Sequence, residues 1–283
     1  MTNVFKNALM LPPGIVAPTG NANAYVDAVD IAVQGLGTVS GGNVATHVLG
    51  YLRARMFAAT APLSAGIVDR LANPITLGTY AGDATKNAAD ANFNGQASID
   101  LSPLNGVGSG NNCPLQLGPG FRLNAALTTM PGSWTVVSAC RLVSSPAATS
   151  NFFGSSDGIW GYFNNTGTLE WRVDGSHGYS VSGALTPGTA AVIWYSWDNS
   201  ALTFRFGVNS GATVSQQTIA YSYSPVANDK VFPFGFTSLN GGNAFDGQFE
   251  GWLLLDKAYM NGSVPADDAA FGNMIAAYAA LAT

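Results

Sequence analysis

Residues 245–259, FDGQFEGWLLLDKAY, are the stretch on which the reading of the fold turns. They read as an apolar strand opened by Phe245-Asp246-Gly247 and closed by Asp256-Lys257-Ala258. A helical tail follows: Pro265, Asp267 and Asp268 make an acidic start, and Phe271, Met274, Ile275 and Tyr278 recur at helical spacing.

Working backward from this strand, the chain from about residue 131 is strand after strand. In SWTVVSACRLV, Trp134, Val136, Ser138, Cys140 and Leu142 point one way, and Thr135, Val137, Ala139, Arg141 and Val143 the other. LEWRVDG alternates more cleanly, with Leu169, Trp171 and Val173 apolar and Glu170, Arg172 and Asp174 polar, as a strand with one wet face requires. AVIWYSW and ALTFRFGV flank Asp198-Asn199-Ser200 and predict a hairpin. NFFGSS, GIWGYF, TVSQQTIAYS and VFPFGFTS are further strand candidates. Short strands at this spacing argue a sandwich or jelly roll.

Composition agrees. Only 10% of the 283 residues are charged while 34 are Gly, which suits strands and tight turns better than long solvated helices. The net charge is −5 with Lys and Arg scattered singly, so no basic footprint for nucleic acid is present. The start, MTNVFKNALMLPPGIVAPTG, is broken by Pro12 and Pro13, too short for a signal-peptide core and far too short to span a bilayer. A chain made in the cytoplasm, without membrane insertion, is expected. Cys113 and Cys140 are expected to be free buried thiols.

Residues 1–90 have another texture. AYVDAVDIAV and NVATHVLGYLRARMFAAT are rich in Ala and Leu, and Val44, Val48, Tyr51, Leu52 and Met56 approximate one helical stripe. The expectation is a partly helical N-terminal anchoring or assembly region, 1–90, joined to a β domain, 91–283.

Residues 91–283 resemble the concanavalin A-like lectin/glucanase fold, in particular the LamG-like domains of phage virion proteins and secreted bacterial proteins. ANFNGQASIDLS looks like the first strand of such domains, introduced by an Asn-Gly turn, GSWTVVSACRLV like the strand that follows, and FDGQFEGWLLLDKAYMNGSV like the closing strand before the final helix. The resemblance implies an all-β concanavalin A-like jelly-roll sandwich with a partly helical N-terminal region and a C-terminal helix. It also implies a non-enzymatic virion structural protein, a capsid decoration or tail-fibre part. Its partners would be other virion proteins and copies of itself in a homo-oligomer such as a trimer, with host-surface glycans as ligands of the lectin-like domain. A free carbohydrate-binding module and a glycan-degrading enzyme are the alternatives.

Catalytic signatures are sparse. Hydrolases of this fold use paired carboxylates, yet Glu170 and Glu250 are the only glutamates. Glu170 and Asp174, with Arg172 between them, read more economically as a solvated ion-pair ladder. No catalytic residue, metal site or cofactor is expected. Sugar contacts are assigned to Asp174, His177 and Tyr179 in DGSHGYS, where a polar group sits beside an aromatic, and to Asn240 and Asn243 in TSLNGGNAFDG, where amides flank paired glycines. The plainer reading of both segments is a Gly-rich loop. Trp194 should lie on the opposite face from Tyr195 and Trp197, leaving one group for the core and the other exposed to pack against a neighbouring subunit.

Overall fold

Alternation along the strands predicts two faces with separate tasks, and the computed structural model shows where each face goes. It describes residues 27–38, 48–56, 75–77, 84–104, 115–117, 132–147, 149–155, 159–173, 177–224, 231–234 and 245–283. In chain order these form helix α1 (Ala28–Thr38) and strands β1 (Val48–Arg53), β2 (Ile75–Leu77), β3 (Thr85–Asp90), β4 (Gln96–Asp100), β5 (Leu115–Leu117), β6 (Trp134–Leu142), β7 (Ser150–Ser155) and β8 (Trp160–Phe163). Then come β9 (Leu169–Arg172), β10 (Gly178–Val181), β11 (Ala191–Asp198), β12 (Thr203–Val208), β13 (Ser215–Thr218), β14 (Val231–Pro233), β15 (Gly247–Leu255) and helix α2 (Pro265–Ala282).

The strands make two antiparallel sheets, the jelly-roll sandwich expected. One runs β13-β12-β11-β6-β15-β4-β3, with β1 as an eighth strand; the other has seven strands in the order β10-β9-β8-β7-β14-β5-β2. The opening stretch, now β15, is the hub of the first. One of its edges pairs with β6 along its length, and the other is shared by β4 at Gln248 and Phe249 and by β1 from Gly251 to Leu255. The pairing with β6 slips between Phe249 and Gly251, so Phe249 and Trp252, three apart, both enter the core between the sheets. Gly247 begins the strand because a side chain there would collide with the Arg141 carbonyl, whose oxygen would lie 2.1 Å from a Cβ.

The run Trp252-Leu253-Leu254-Leu255 is apolar without alternation because both faces of β15 are buried. Inward, Trp134, Tyr195, Trp197 and Trp252 meet Phe152, Phe153 and Trp171 of the other sheet. Outward, Val137, Val192, Trp194, Leu253 and Leu255 pack under α1 and α2, against Val29, Val33, Phe271, Met274, Ile275 and Tyr278. The expected separation of Trp194 from Tyr195 and Trp197 is observed, but all three are buried. Trp194 is covered by the chain's own α2, with Phe271 edge-on at 5.4 Å and the indole N–H donating to the Ser210 carbonyl at 2.8 Å. It is not an exposed packing surface.

One expected helix is a strand. Val48–Arg53 pairs antiparallel with β15, and its alternation sends Leu52 inward while Val48 and Tyr51 face the helices. The same residues fit a helical stripe, but the buried edge of β15 beyond its slip has backbone groups that only a strand laid beside it can pair. The boundary drawn at residue 90 falls inside the β3–β4 hairpin, whose tip carries Asn94 and Gly95 at positive φ. Cys140 is a free buried thiol, its pKa pushed up to about 12 by burial, with a Ser138 hydrogen bond working the other way. Cys113, Val44 and residues 1–26 lie outside the described residues. No helix among the described residues is long and apolar enough to cross a membrane.

Beneath α1 and α2 lies a buried ion network. Arg53, fully enclosed, donates from Nε to Glu250 at 2.8 Å, from Nη1 to Tyr51 at 3.2 Å and from Nη2 to Asp27 at 3.0 Å. Its guanidinium also lies over the Tyr278 ring, at 5.3 Å from the centroid. Arg55 pairs with both Asp27 and Asp30, and Tyr51 donates to Asp30 at 2.8 Å. The slip in β15 supplies Glu250, β1 supplies Arg53, and Asp27 and Asp30 come from the start of α1, so the network ties the N-terminal segment to the sandwich. Replacing Glu250 with Gln leaves Arg53 short of a buried countercharge and is expected to destabilise the chain by about 3–5 kcal/mol, whereas Arg53→Met with Glu250→Leu should recover much of the loss. Urea unfolding of the two variants checks this. Burial favours protonation of Asp27, but Arg53 and Arg55 more than offset it and hold its pKa below the ordinary carboxylate value. Its contribution is present above that ordinary value and is lost as pH falls through the depressed one, so thermal midpoints should begin to drop below about pH 4.

Candidate functional site

Helices cover the outer face of the central strands of the eight-stranded sheet, and the outer face of the seven-stranded sheet carries a different set of side chains. In β8, β9 and β10 burial alternates residue by residue. Phe163, Leu169, Trp171, Tyr179 and Val181 point into the core. Trp160, Tyr162, Glu170, Arg172, Gly178 and Ser180 make the other face, half-buried except for Ser180, which is exposed.

Strand register arranges these six residues in two rows. Trp160 lies opposite Arg172, which lies opposite Gly178; Tyr162 lies opposite Glu170, which lies opposite Ser180. Rows two residues apart along a strand are separated by roughly 7 Å. The Trp160 and Tyr162 rings are stacked, with centroids 5.4 Å apart and planes at 22°. The Arg172 guanidinium sits over the Trp160 ring, 5.9 Å from its centroid. Gly178 leaves the space this needs, since a Cβ there would lie 2.6 Å from Arg172 Cδ and 2.9 Å from its Nε. In the second row Ser180 Oγ donates to Glu170 Oε1 at 2.9 Å. On the neighbouring β7, Asn151 lies opposite Tyr162.

The face combines flat π surface with one carboxylate and one guanidinium. Aromatic faces take the apolar C–H side of a ring, and the charged groups hydrogen-bond hydroxyls around its rim. Trp160 and Tyr162 were missed by sequence reasoning. Every residue of GIWGYF is apolar, aromatic or Gly, so, unlike LEWRVDG, nothing local says which face of this strand meets water. Of the expected ladder of Glu170, Arg172 and Asp174, the last lies outside the described residues; among the described residues Arg172 stacks on Trp160 and pairs with no carboxylate.

Of the sugar contacts expected from sequence, His177 is exposed and stacks on Tyr221, with centroids 4.8 Å apart and planes at 19°. Tyr179, one position on from Gly178, points inward, stacks on Phe204 at 6.0 Å and bonds Ser215 through its hydroxyl. Burial raises its pKa against the effect of that bond. Asp174, Asn240 and Asn243 lie outside the described residues. The two glutamates are on different sheets, Glu170 on the open face and Glu250 sealed against Arg53.

Two cavities lie elsewhere. A polar one of about 210 Å³ is lined by Asp198, Lys257, Asn261, Asp267 and Asp268. Its acids shape the chain: Asp198 Oδ1 caps the hairpin turn through Ser200 and Ala201, Asp268 accepts from the Gly262 amide at 2.8 Å, and Lys257 pairs with Asp267. Burial opposes the charged form of Asp198, yet the bonds from Ser200, Ala201 and Asn261 hold its pKa below the ordinary value. The other, about 270 Å³ and mostly apolar, lies between Val181–Leu185 and Phe206–Val214. Among the described residues no group of three or more His, Cys, Asp or Glu side chains is placed to hold a metal ion.

No family model matches the chain, and no curated protein matches it. Among solved structures the chain is similar to domain 4 of AbnA, a GH43 extracellular arabinanase from Geobacillus stearothermophilus, in complex with arabinotriose, at 14% identity over 79% of this chain and 97% of that one, with a TM-score of 0.47. It is similar to the Ruminococcus gnavus IT-sialidase CBM40 bound to α2,3 sialyllactose at 12% identity over 48% of this chain and 82% of that one, with a TM-score of 0.38. It is also similar to the NanB sialidase from Streptococcus pneumoniae, as its K499G mutant, at 16% identity over 47% of this chain, with a TM-score of 0.39. The chain spans 23% of that sialidase chain.

Of the six tryptophans, Trp134, Trp171, Trp194, Trp197 and Trp252 are at most 1% exposed, which leaves Trp160 as the one that solvent reaches. Iodide quenching of the native chain should therefore show one accessible component, and Trp160→Phe should remove it. A quenchable fraction that persists in this variant would place another indole at the surface.

Proposed function

We propose that the chain is a carbohydrate-binding protein whose platform is the outer face of β8, β9 and β10. The observation that carries this reading is the stacked pair Trp160 and Tyr162, half-buried on an outer sheet face and flanked in register by Arg172, Glu170 and Ser180. A sugar ring packed on the uncovered side of the aromatic pair buries its C–H face, and its hydroxyls find acceptors in Glu170 and Ser180 and a donor in Arg172. The side chains are held before any ligand arrives, Tyr162 by the indole and Glu170 by the Ser180 hydroxyl, which lowers the ordering cost of binding.

Display on a virion, with residues 1–90 docking and copies joining in a homo-oligomer, would add a location to this chemistry rather than replace it. That setting draws on the sequence resemblance, and no observation among the described residues favours it. Glycan cleavage would need two carboxylates facing one bond. Among the described residues of β8, β9 and β10 the outer face presents one carboxylate, Glu170, and Glu250 is engaged by Arg53 at 2.6 Å on the other sheet, which favours holding a glycan over cutting one.

Affinity electrophoresis of the full chain through gels containing soluble polysaccharides tests the reading. Trp160→Ala and Tyr162→Ala should each weaken retardation by about tenfold in dissociation constant, with circular dichroism unchanged. Retardation that survives both substitutions, or none on any polysaccharide, would overturn it.

A further inference from the structure

We infer that the glycan this face binds is acidic, and that Arg172 receives a sugar carboxylate. The inference rests on the carbohydrate-binding reading and names the ligand class for the same face.

Arg172 differs from the other arginines among the described residues. Arg53 and Arg55 are paired with Asp27, Arg205 lies 3.7 Å from Asp198, and Arg141 donates to the Gly188 carbonyl at 2.8 Å. The Arg172 guanidinium has no acceptor in the described chain, and its Nε is buried without a hydrogen-bond partner. It is nonetheless held in place. Trp160 lies beneath it, Gly178 gives it room, and all three stand in one cross-strand row. Stacking occupies the flat face of a guanidinium and leaves its in-plane N–H groups free, the edge that matches a carboxylate with two parallel hydrogen bonds. The indole also removes water from one side of the cation, which strengthens its pairing with an anion.

Glu170 sets the orientation. Its carboxylate belongs to the second row, with Tyr162 and Ser180, and repels a ligand anion there while accepting hydroxyl hydrogen bonds. A sugar acid is therefore directed to the Trp160–Arg172 row and its neutral rim to the Tyr162–Glu170 row. A hexuronate and a sialylated end both supply the required carboxylate on a ring.

The test is calorimetric titration of the full chain with an oligogalacturonate, with a sialylated oligosaccharide, and with the carboxyl-reduced, neutral form of each. The acidic form from at least one source is expected to bind about tenfold or more tightly than its neutral form, and to lose that advantage in high salt. Which acidic probe binds separates the two sources. Arg172→Gln should erase the difference between acidic and neutral forms, and Arg172→Lys should restore only part of it, because Lys keeps the charge without the planar fork. Trp160→Phe, which keeps a ring under the cation, should retain the preference. Equal binding of acidic and neutral forms would overturn the acidic-ligand inference while leaving carbohydrate binding intact. A preference that survives Arg172→Gln would remove Arg172 from it. Absence of binding to all four probes and to every polysaccharide in the gels would sink both readings together.

Discussion

Burial of both faces of the central strands of the eight-stranded sheet, β6, β11 and β15, is the constraint from which the rest of the architecture follows. A sheet with one wet face can alternate apolar and polar residues, but β15 and β6 lie between the second sheet and two helices, so both sides of each strand must be apolar or satisfied within the chain. Val137, Leu253 and Leu255 meet the helices while Val136, Trp252 and Leu254 meet the other sheet. Two polar groups enclosed here are bonded within the chain: Ser138 Oγ, on the side facing the other sheet, to the Gly251 carbonyl, and Glu250, beneath the helices, to Arg53.

That burial has a consequence for charge. A glutamate and an arginine enclosed under helices are tolerated only as partners, and the partnership joins segments almost two hundred positions apart, β1 and β15. With Asp27 and Asp30 at the start of α1 completing the cluster, the described part of the N-terminal region becomes a layer of the sandwich. The slip in β15 that places Glu250 here also brings Phe249 and Trp252 to the same side, so one irregularity serves the ion network and the core alike.

With one sheet spent on two interfaces, β8, β9 and β10 of the other sheet remain to alternate between core and solvent. They offer Trp160, Tyr162, Glu170 and Arg172 outward at fixed spacing because their inward residues, Trp171 and Phe163 among them, are locked in the aromatic core. Regular strands hold such a constellation with less play than loops do. A rigid pair of rings beside one cation and one anion suits a ligand with an apolar face and a charged rim.

Much of the fold was legible in the chain itself. The turn residues at Asn94-Gly95 and Asp198-Asn199-Ser200, the alternation of LEWRVDG, and the spacing of Phe271, Met274, Ile275 and Tyr278 specify hairpins, strands and the closing helix through local chemistry, and the structure has each of them. Local chemistry does not carry the rest. Val48, Tyr51 and Leu52 satisfy a helical stripe and a strand equally well, and the free edge of β15 chose the strand. Trp194 and Trp160 are both tryptophans on strands, yet one is sealed by Phe271 of the closing helix, 77 residues downstream, and the other borders solvent. Periodicity by itself determined which side chains share a face; only the packing of distant elements decided which faces were buried, because burial belongs to pairs of surfaces and not to a strand alone.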